Sequence, residues 1–400
     1  MTTKILFVHY GNDWIRGSEH CLLDLIEQCP SQGFEPHLWT NNTPLHELVK
    51  GKSINTNKDS FPLLFGWLKP KFNISAWVGL VFKACRIIKK NRIDMIHVNS
   101  GAPCQWMIIA SRLMNVPLVT QLHSPYPARD RVTLGLHLSP HTIAVSRYVG
   151  GQLTREGYPQ QRLSTIHNGI DVTKLMEQTK VDSKAAIGLP EDCTLFATVG
   201  SLIYDKGMDR LITAIQNLNM EYADTHLLII GDGPMRYELE RLAKTLYVEN
   251  KVHFVGEQNN VVGWLKGCDA FVSASRREAF GLAIAEATLA NIPVIAPREG
   301  GIPEFIHHGV TGLLYPNHGT APIAKMMAAL LEHKKFGRQL SREAHQHITR
   351  HFDISVSSQK IFHLYRQLLR QHQTSVSIWR TFIPLKTYLT KRFLLGGEHG

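Results

Sequence analysis

Short apolar runs alternate along the chain with longer segments whose apolar residues recur at helical spacing. KILFVHY (residues 4–10) predicts a buried strand, and EHCLLDLIEQC (residues 19–29) predicts an amphipathic helix after it. The runs IDMIHVN, PLVTQLH and HTIAVS predict further strands that end near residues 99, 123 and 146. Such alternation is typical of parallel sheets covered by helices on both faces.

The second half of the chain repeats this rhythm after a polar stretch at residues 174–184. The predicted strands are TLFATVG, THLLIIG, KVHFVG, CDAFVSAS and IPVIAP, and helices are predicted over DRLITAIQNL and MRYELERLAKTLY. Because the strand series restarts near Thr194, we place the domain boundary at 175–190. We therefore predict an α/β protein with two Rossmann-like, doubly wound domains, 1–180 and 185–353, which face each other across a ligand cleft.

The composition agrees with a globular protein of this size. The 400 residues are 44% hydrophobic and 19% charged, so two domain cores can be built and disorder is not indicated. Lys and Arg number 44 against 33 Asp and Glu, a net charge of +11. This charge favours phosphates, acidic glycans, nucleic acid or an anionic membrane as partners, although a merely basic protein would also show it. No helix-turn-helix, RNP or zinc pattern supports nucleic-acid binding.

The cysteines and the N-terminus point to a reducing compartment. The six cysteines are scattered without C-x-x-C or zinc spacing, so neither a disulfide framework nor a metal site is expected. The first apolar run is too short for a signal peptide, and no run of about 18 apolar residues indicates a spanning helix. We therefore expect a cytoplasmic protein.

Ligands of doubly wound sheets bind where loops follow the strands, so these loops hold the candidate chemistry. The loop GSLIYDKG (residues 200–207) carries Lys206, a point charge suited to phosphate, but it lacks P-loop spacing. Taken alone, a solvated lysine in a turn is the better interpretation. The loops GDGP (231–234) and REGGIPEFI (298–306) are explained by turn chemistry at least as well as by ligand contact.

The stretch SRREAFGLAIAEA (residues 275–287) contains two glutamates, Glu278 and Glu286. A helix predicted from Gly281 would present free N–H groups and its positive dipole end to a diphosphate. Eight helical residues would separate the carboxylates by about 12 Å of rise, whereas a retaining glycosidase pair lies about 5–5.5 Å apart. The two could instead bind hydroxyls at distant points of a nucleotide-sugar. The alternative for each is a surface charge, although a carboxylate among Ala and Ile is costly if buried unpaired.

With these motifs the chain resembles the retaining nucleotide-sugar glycosyltransferases of family 4, which have the two-domain GT-B fold. The resemblance spans most of the chain, and the ordered series of motifs is more specific than any one of them. The motifs are RGSEH (16–20), QLHS (121–124), VS (145–146), IHNGID (166–171), VGSLIYDKG (199–207), IIGDGP (229–234), VHFVG (252–256), the E-x7-E motif SRREAFGLAIAEA, and GGIPEFIHHGVTGLL (300–314).

The resemblance implies a role for each matching residue. Lys206 would bind the donor diphosphate, Glu278 the hydroxyls of the transferred sugar, and Glu286 the ribose hydroxyls. His123 would touch the sugar near its leaving bond, and Gly17 would lie near the diphosphate or the acceptor. The implied catalytic residues are Glu278, His123 and Lys206, and the implied donor site comprises Gly17, Ser201, Lys206, Glu278, the amides of Phe280 and Gly281, Leu282 and Glu286. Without its motif, His123 would be read as a structural histidine, one of 21.

One position departs from the family pattern, because Ser201 stands where the family usually has a second diphosphate-binding arginine. Either Lys206 and the helix dipole suffice, or Arg276 or Arg277 substitutes. The resemblance implies retention of anomeric configuration, and no positioned nucleophile is evident, which favours same-face attack by the acceptor. Neither a metal nor a cofactor is expected, since cations and amides would stabilise the leaving diphosphate.

Two segments have features of membrane contact. The helix predicted within 67–92 places Trp77, Val81, Ala84, Cys85 and Ile88 on one face and Lys83, Arg86 and Lys90 on another, in a region where Lys69, Lys71, Lys89 and Arg92 add to the positive charge. This pattern fits an interfacial helix on an anionic membrane and, equally, a helix packed on its own sheet. After a helix at 354–371, which in GT-B enzymes crosses back to the first domain, the tail 372–400 mixes Trp379, Phe382, Tyr388 and Phe393 with basic residues.

The sequence thus predicts a hexosyltransferase that uses a nucleoside-diphosphate sugar, with UDP as the default. The acceptor would be a saccharide or lipid-linked saccharide of cell-surface polysaccharide or lipopolysaccharide synthesis, met on the inner face of the cytoplasmic membrane. Two alternatives are a nucleotide-sugar epimerase of the same fold and a non-catalytic glycan-binding protein with a degenerate donor site. The E-x7-E series argues against the first, and Lys206 with both glutamates argues against the second.

Overall fold

The computed structural model describes residues 2–67 and 72–372, together with Lys386, Leu389 and Thr390. Lys69 and Lys71, and the aromatic and basic residues predicted to contact a membrane in the tail after 372 (Trp379, Arg380, Phe382, Tyr388, Lys391, Arg392 and Phe393), lie outside the described residues. None of the described helices is long and apolar enough to cross a bilayer.

The chain divides into two compact units. The N-terminal unit comprises the described residues up to Gly169 and the helix that begins at Ile354, and the C-terminal unit is Ile170–Asp353. The division therefore lies before the predicted 175–190. Ile170 donates its N–H to the carbonyl of Phe352 and forms a bridge with Asp353, which ties the chain after Gly169 to the C-terminal unit.

The N-terminal unit is built on a seven-stranded parallel sheet with strand order β3-β2-β1-β4-β5-β6-β7. Its strands are β1 (Thr3–His9), β2 (Phe34–Thr40), β3 (Asn55–Lys58), β4 (Met95–Val98), β5 (Leu118–Leu122), β6 (Thr142–Ala144) and β7 (Leu163–Thr165). The helices between them are α1 (Gly17–Gln28), α2 (Thr43–Gly51), α3 (Ile74–Asn91), α4 (Cys104–Leu113), α5 (Ala128–Thr133) and α6 (Arg147–Arg155). The central strand β1 is apolar on both faces because helices cover both, and Ile5 to Val8 are fully buried.

The C-terminal unit repeats the plan with a six-stranded parallel sheet, in the order β10-β9-β8-β11-β12-β13. Its strands are β8 (Thr194–Val199), β9 (Thr225–Ile230), β10 (Val252–Gly256), β11 (Ala270–Val272), β12 (Val294–Pro297) and β13 (Leu313–Tyr315). Its helices are α7 (Val172–Met176), α8 (Ser183–Ala186), α9 (Met208–Asn219), α10 (Arg236–Thr245), α11 (Val261–Leu265), α12 (Leu282–Leu289), α13 (Ala321–Glu332) and α14 (Lys334–His351). Both sheets confirm the predicted α/β class with two Rossmann-like units.

The last described long helix, α15 (Ile354–His372), packs on the N-terminal unit. Phe362 stacks on Phe34 with ring centroids 5.4 Å apart, and the Tyr365 hydroxyl lies 2.5 Å from Nδ1 of His97. These aromatic side chains are buried in the core of that unit. Helix α15 therefore belongs to the same unit as strand β1.

Helix α3 decides between the two alternatives for one of its faces. Val81, Ala84 and Ile88 are buried in the N-terminal unit, so the apolar face that could have met lipid belongs instead to the protein core. The basic side chains on the other face, including Arg86 and Lys90, are exposed. For this face, packing on the protein's own core is the correct alternative.

The strand order positions the candidate sites. In each sheet the order reverses beside the first strand, between β1 and β4 and between β8 and β11. Loops that leave two such neighbouring strands turn to opposite faces, which opens a crevice at their carboxyl ends. The residues after these four strands are therefore the candidate site residues.

Candidate active site

The loop after β8 is held by close backbone contacts that only glycine permits. A Cβ at Gly207, whose φ is +67°, would lie 2.0 Å from the carbonyl oxygen of Ala274, in the loop after β11. A Cβ at Gly231 would lie 2.1 Å from the carbonyl oxygen of Gly200. Loops from three neighbouring strands thus touch through their backbones, and Lys206 is fixed beside the loop that carries Glu278.

Lys206 and Glu278 form an ion pair at this switch point. Nζ of Lys206 lies 2.7 Å from Oε2 of Glu278, and the Ser275 hydroxyl donates to the same oxygen at 3.3 Å. Both side chains are largely buried, with 29% of Lys206 and 13% of Glu278 exposed. The structure therefore brings together two predicted catalytic residues that are separated by 72 positions in the chain.

Helix α12 begins directly after this loop. Gly281 precedes its first residue, Leu282, with φ of +110°, a conformation that favours glycine. The first-turn amides of α12 offer hydrogen-bond donors and a positive dipole end. The ring of Phe280 is buried against Phe305 at a centroid distance of 4.8 Å, so the ring does not line a ligand site.

Three further predicted donor-site residues, Ser201, Leu282 and Glu286, also lie in the C-terminal unit. Ser201 is half-buried in the loop after β8, and Leu282 is half-buried at the start of α12. Glu286 is half-buried at the fifth position of α12, more than one turn beyond the first amides. The structure thus places Glu286 further along the chain than the Lys206–Glu278 pair, and its predicted contact with the ribose stays a prediction.

Arg276 has a structural role that the sequence did not reveal. Its guanidinium binds both carboxylate oxygens of Asp209, at 2.8 and 2.6 Å, and lies 3.9 Å above the Tyr204 ring. Burial raises the pKa of Asp209, but the hydrogen bond and charge of Arg276 outweigh burial and lower it. Arg276 therefore anchors the loop that carries Lys206, and this geometry does not support Arg276 as the second diphosphate cation. Arg277 is exposed and stays a hypothesis for that role.

The N-terminal unit has its own polar cluster at the switch point between β1 and β4. Nε2 of His9 lies 2.9 Å from Oε1 of Glu19, and Nδ1 of His9 faces the carbonyl of Asn99 at 3.2 Å. Nε2 of His123 lies 2.9 Å from Oδ1 of Asn99, so the predicted His123 joins this cluster. Sequence reasoning missed His9 and Asn99, although both directly follow or end a predicted strand.

Gly17 is the first residue of α1, the helix whose Glu19 contacts His9. Glu19 caps this helix, because one of its carboxylate oxygens accepts the backbone N–H of Arg16 at 3.1 Å. Burial raises the pKa of Glu19, but the hydrogen bond and electrostatic attraction of His9 and two backbone N–H groups outweigh it and hold the pKa at about 2. Glu19 is therefore ionised at neutral pH and occupies the positive end of α1.

His123 is neutral in this cluster. Burial, followed by the effect of His9, lowers the pKa of His123 to about 4, although Glu19 opposes the shift. Since Oδ1 of Asn99 only accepts hydrogen bonds, the Nε2 of His123 carries the proton. Nδ1 of His123 is then an acceptor, and it has no hydrogen-bond partner among the described residues. A ligand hydroxyl could donate to it.

The lowered pKa of His123 predicts a pH dependence of stability. Below its ordinary value of 6.5 the unfolded state takes up a proton that the folded state resists until about pH 4, so stability rises with pH across that window. In chemical denaturation between pH 4 and 6.5, H123Q should flatten this slope by up to about 1.4 kcal/mol per pH unit. His363→Gln, at an exposed position, is the control and should keep the wild-type slope. Identical slopes in wild type and H123Q would contradict the assignment.

Within the described residues, no group of three or more His, Cys, Asp or Glu side chains is arranged to hold a metal ion. The two clusters instead offer a cation, helix amides, carboxylates and a neutral imidazole. These are groups that bind phosphates and sugar hydroxyls.

Family models agree with this chemistry. Residues 15–174 match the model described as Glycosyltransferase Family 4, and residues 180–347 match the model described as Glycosyl transferases group 1. Together they cover most of the chain, which belongs to the group 1 glycosyltransferases of family 4 type. The protein is a glycosyltransferase.

Individual proteins are similar over most of their length. The chain is 25% identical to N-acetyl-alpha-D-glucosaminyl L-malate synthase of Bacillus anthracis over 82% of this chain and 88% of that protein. The Anabaena protein HepE, solved in complex with UDP and glucose, has a TM-score of 0.78 at 22% identity and covers 91% of this chain and 100% of its own. The apo form of the lipopolysaccharide outer core galactosyltransferase WaaB has a TM-score of 0.70 at 18% identity and covers 90% of this chain and 98% of its own. These structures show the GT-B fold.

Proposed function

We propose that this glycosyltransferase moves a hexose-type sugar, with retention of configuration and without a metal, from a nucleoside-diphosphate sugar to a saccharide or lipid-linked saccharide. UDP is the first nucleotide to test, because HepE, which shares the fold, was solved with UDP and glucose. The acceptor is expected in cell-surface polysaccharide or lipopolysaccharide synthesis. WaaB, with the same fold, supports this choice only by analogy.

The observation that carries the proposal is the Lys206–Glu278 pair beside the start of α12. In the free enzyme Glu278 holds the lysine at 2.7 Å. A diphosphate at the helix amides would compete for Lys206, and Glu278 would then accept hydrogen bonds from sugar hydroxyls. The ion pair therefore keeps both side chains oriented until the donor arrives.

The chemical step then follows from the charges. As the bond between the anomeric carbon and the diphosphate breaks, negative charge grows on the leaving phosphate, and Lys206 with the α12 amides stabilises it. The sugar becomes positively charged, and the nearby Glu278 carboxylate favours that charge. The acceptor hydroxyl then forms its bond to the anomeric carbon on the same face, and its proton passes to the departing diphosphate oxygen. His123, with its Nδ1 able to accept a hydrogen bond, is proposed to bind a hydroxyl of the transferred sugar.

The donor is identified by a binding panel. UDP-, GDP- and ADP-sugars are each tested for thermal stabilisation and slow nucleotide release, with wild type beside Glu278→Gln. One donor should stabilise wild type, and E278Q should release its nucleotide at least about tenfold more slowly, because the neutral amide no longer favours the sugar's positive charge. The matched control is Glu257→Gln, an exposed glutamate after β10 of the same sheet.

The outcomes separate the candidate functions. Stabilisation by one donor with slow release, unchanged in E257Q, supports a transferase, and the anomeric configuration of the product by NMR then tests retention. If no nucleotide-sugar stabilises the folded wild type, Ser201 marks a lost donor site and the proposal fails in favour of glycan binding. A converted sugar that stays attached to its nucleotide would instead identify an epimerase.

A further inference from the structure

The N-terminal unit contains an apolar cavity that none of the site residues described above lines. It has a volume of about 350 Å³ and lies between α3, α4 and α5. Its apolar lining includes Leu64, Trp77, Ile108, Ile109, Val132 and Leu138. The volume falls within the range of about 300–1,000 Å³ that is common for ligand pockets.

A second, larger cavity of about 680 Å³ has a different lining. Tyr10, Asn41 and Lys58 follow or end the strands β1, β2 and β3, and they line it together with Asp59 and Trp67. Aromatic rings beside amide and charged side chains are a surface that suits a saccharide, because sugars present both apolar C–H faces and hydroxyls. We name the two the apolar cavity and the polar cavity.

One short loop, residues 61–67, separates the two cavities. Leu64 and Phe65 line the apolar cavity, whereas Leu63, Gly66 and Trp67 line the polar cavity. A ligand that crosses this loop could therefore occupy both.

The loop is held firmly in this position. Gln105 of α4 binds both the N–H and the carbonyl of Leu64, at 3.1 and 2.8 Å, and Arg129 donates to the carbonyl of Phe65 at 2.8 Å. Phe65 has φ of +55°, a conformation that is unfavourable for a bulky residue. Because strained backbone persists only where the surroundings enforce it, the divided arrangement is a built feature.

Exposed apolar side chains line the apolar cavity and also occur, with basic residues, on α3. Phe65, Ile109 and Val132, which line it, are 47%, 37% and 38% exposed. On α3, the exposed Ile74, Val78 and Phe82 recur at four-residue spacing, ahead of the basic residues Arg86, Lys89 and Lys90. Among the described residues these apolar side chains are exposed, and clustered exposed apolar side chains are typical of surfaces that bind a partner.

Charge selects the class of partner. Arg112 lines the apolar cavity, Arg129 supports its loop, and the second half of α3 is basic. In addition, the indole N–H of Trp77 in the cavity wall is buried without an acceptor among the described residues. An amphipathic anion with a hydrocarbon chain and oxygen atoms near its head complements all of these features.

We infer that the apolar cavity binds the hydrocarbon chain of a lipid-linked saccharide acceptor, whose sugar end occupies the polar cavity across the 61–67 loop. This inference rests on the proposed function, since it names the acceptor class of that transferase. The exposed strip of α3 would then meet the lipid surface from which the acceptor is taken.

Binding of alkyl phosphates of increasing chain length tests the inference. Hexyl, octyl, decyl and dodecyl phosphate, each below its micellar concentration, are titrated into the full-length protein by calorimetry. Affinity should rise about fourfold for each added methylene and then level off when the cavity is full. Val132→Trp, which places an indole at the mouth, should weaken dodecyl phosphate at least about tenfold and bring the plateau to a shorter chain.

Two further variants keep the test decisive. Leu113→Trp, on an exposed position of α4 that does not line the cavity, should match wild type. Ile109→Lys, on a partly exposed lining residue, should weaken long chains even if V132W folds poorly. The inference would be overturned if affinity did not depend on chain length, or if it rose with chain length in V132W and I109K as steeply as in wild type. A rise without a plateau would also overturn it, because it indicates adsorption to a surface.

The test of the lipid cavity can be distinguished from the test of the donor site. Stabilisation by the nucleotide-sugar found in the panel should be the same in V132W, I109K and wild type, because none of the proposed donor-site residues lines the apolar cavity. Alkyl phosphate binding with no donor stabilisation in wild type would reject the proposed transfer reaction while the lipid cavity stands. Donor stabilisation without saturable chain binding would reject the lipid cavity alone.

Discussion

Replacement of Lys206 by alanine should lower kcat/KM for sugar transfer by about 10²–10³-fold, the usual cost of removing one group that stabilises developing negative charge. Lys206 is the cation that the structure places beside Glu278 and near the start of α12. Ser201 brings no charge, and the guanidinium of Arg276 is engaged by Asp209, so neither can replace it. Loss of Lys206 would therefore leave the helix amides, together with Arg277 if it serves as the second cation, to stabilise the leaving diphosphate.

The measurement is steady-state transfer or nucleotide release with the donor identified by the panel, beside thermal unfolding. Lys206→Arg keeps the charge and should retain more activity than K206A. Lys244→Ala removes an exposed lysine of α10 in the same unit and should behave as wild type. Because K206A also leaves the largely buried Glu278 without its partner, a drop in stability of about 1 kcal/mol is expected and does not explain a 100-fold loss. Wild-type kcat/KM in a folded K206A would remove Lys206 from the mechanism.

Gly207→Ala should lower the free energy of unfolding of the C-terminal unit by about 3 kcal/mol or more, among the largest effects of a single methyl group in this protein. Two costs add at this position. The positive φ of +67° is unfavourable for any residue with a Cβ, and the new Cβ would lie 2.0 Å from the carbonyl oxygen of Ala274. Backbone must move to relieve that contact, and Lys206 moves with it.

Gly319→Ala is a matched control, because Gly319 has the same φ of +67° but nothing within 4 Å of its Cβ position. It should cost only about 1 kcal/mol, the conformational part alone. For a unit of this size each 1 kcal/mol corresponds to about 2–4 °C in Tm, so calorimetry can resolve the difference. Donor stabilisation should weaken in G207A and persist in G319A. Equal Tm values for the two variants would show that the loop yields easily and that its contact with Ala274 does not position Lys206.

Much of the fold follows from local patterns. The run KILFVHY predicts a strand over 4–10 and the structure has Thr3–His9, while the helix predicted from Gly281 begins at Leu282. Both results depend on residues close together in the chain, where the spacing of apolar positions reflects the period of the element. The two units divide after Gly169, before the predicted boundary at 175–190. The reason is that Ile170 pairs with Phe352 and Asp353, which are far away in the sequence.

The sites were predicted only in part. Lys206, Glu278 and His123 follow predicted strands and match family motifs, and the structure places them in the two polar clusters, while their roles stay predictions. His9 and Asp209 were missed, since their importance arises from partners that other strands deliver. A histidine at the end of the first strand was the available signal for His9, but the sequence contains too many histidines for that signal to stand alone.

By itself the sequence determined the α/β class, the two repeated strand series and the family, because periodicity and motif order are written along the chain. Only the tertiary structure decided how residues distant in sequence pair. It buried Val81 and Ala84 of α3 although an interfacial helix would show the same amphipathicity, and it committed Arg276 to Asp209 rather than to a phosphate. The physical reason is that burial and charge pairing depend on which neighbours the strand order brings within a few ångströms, and one-dimensional spacing does not contain that order.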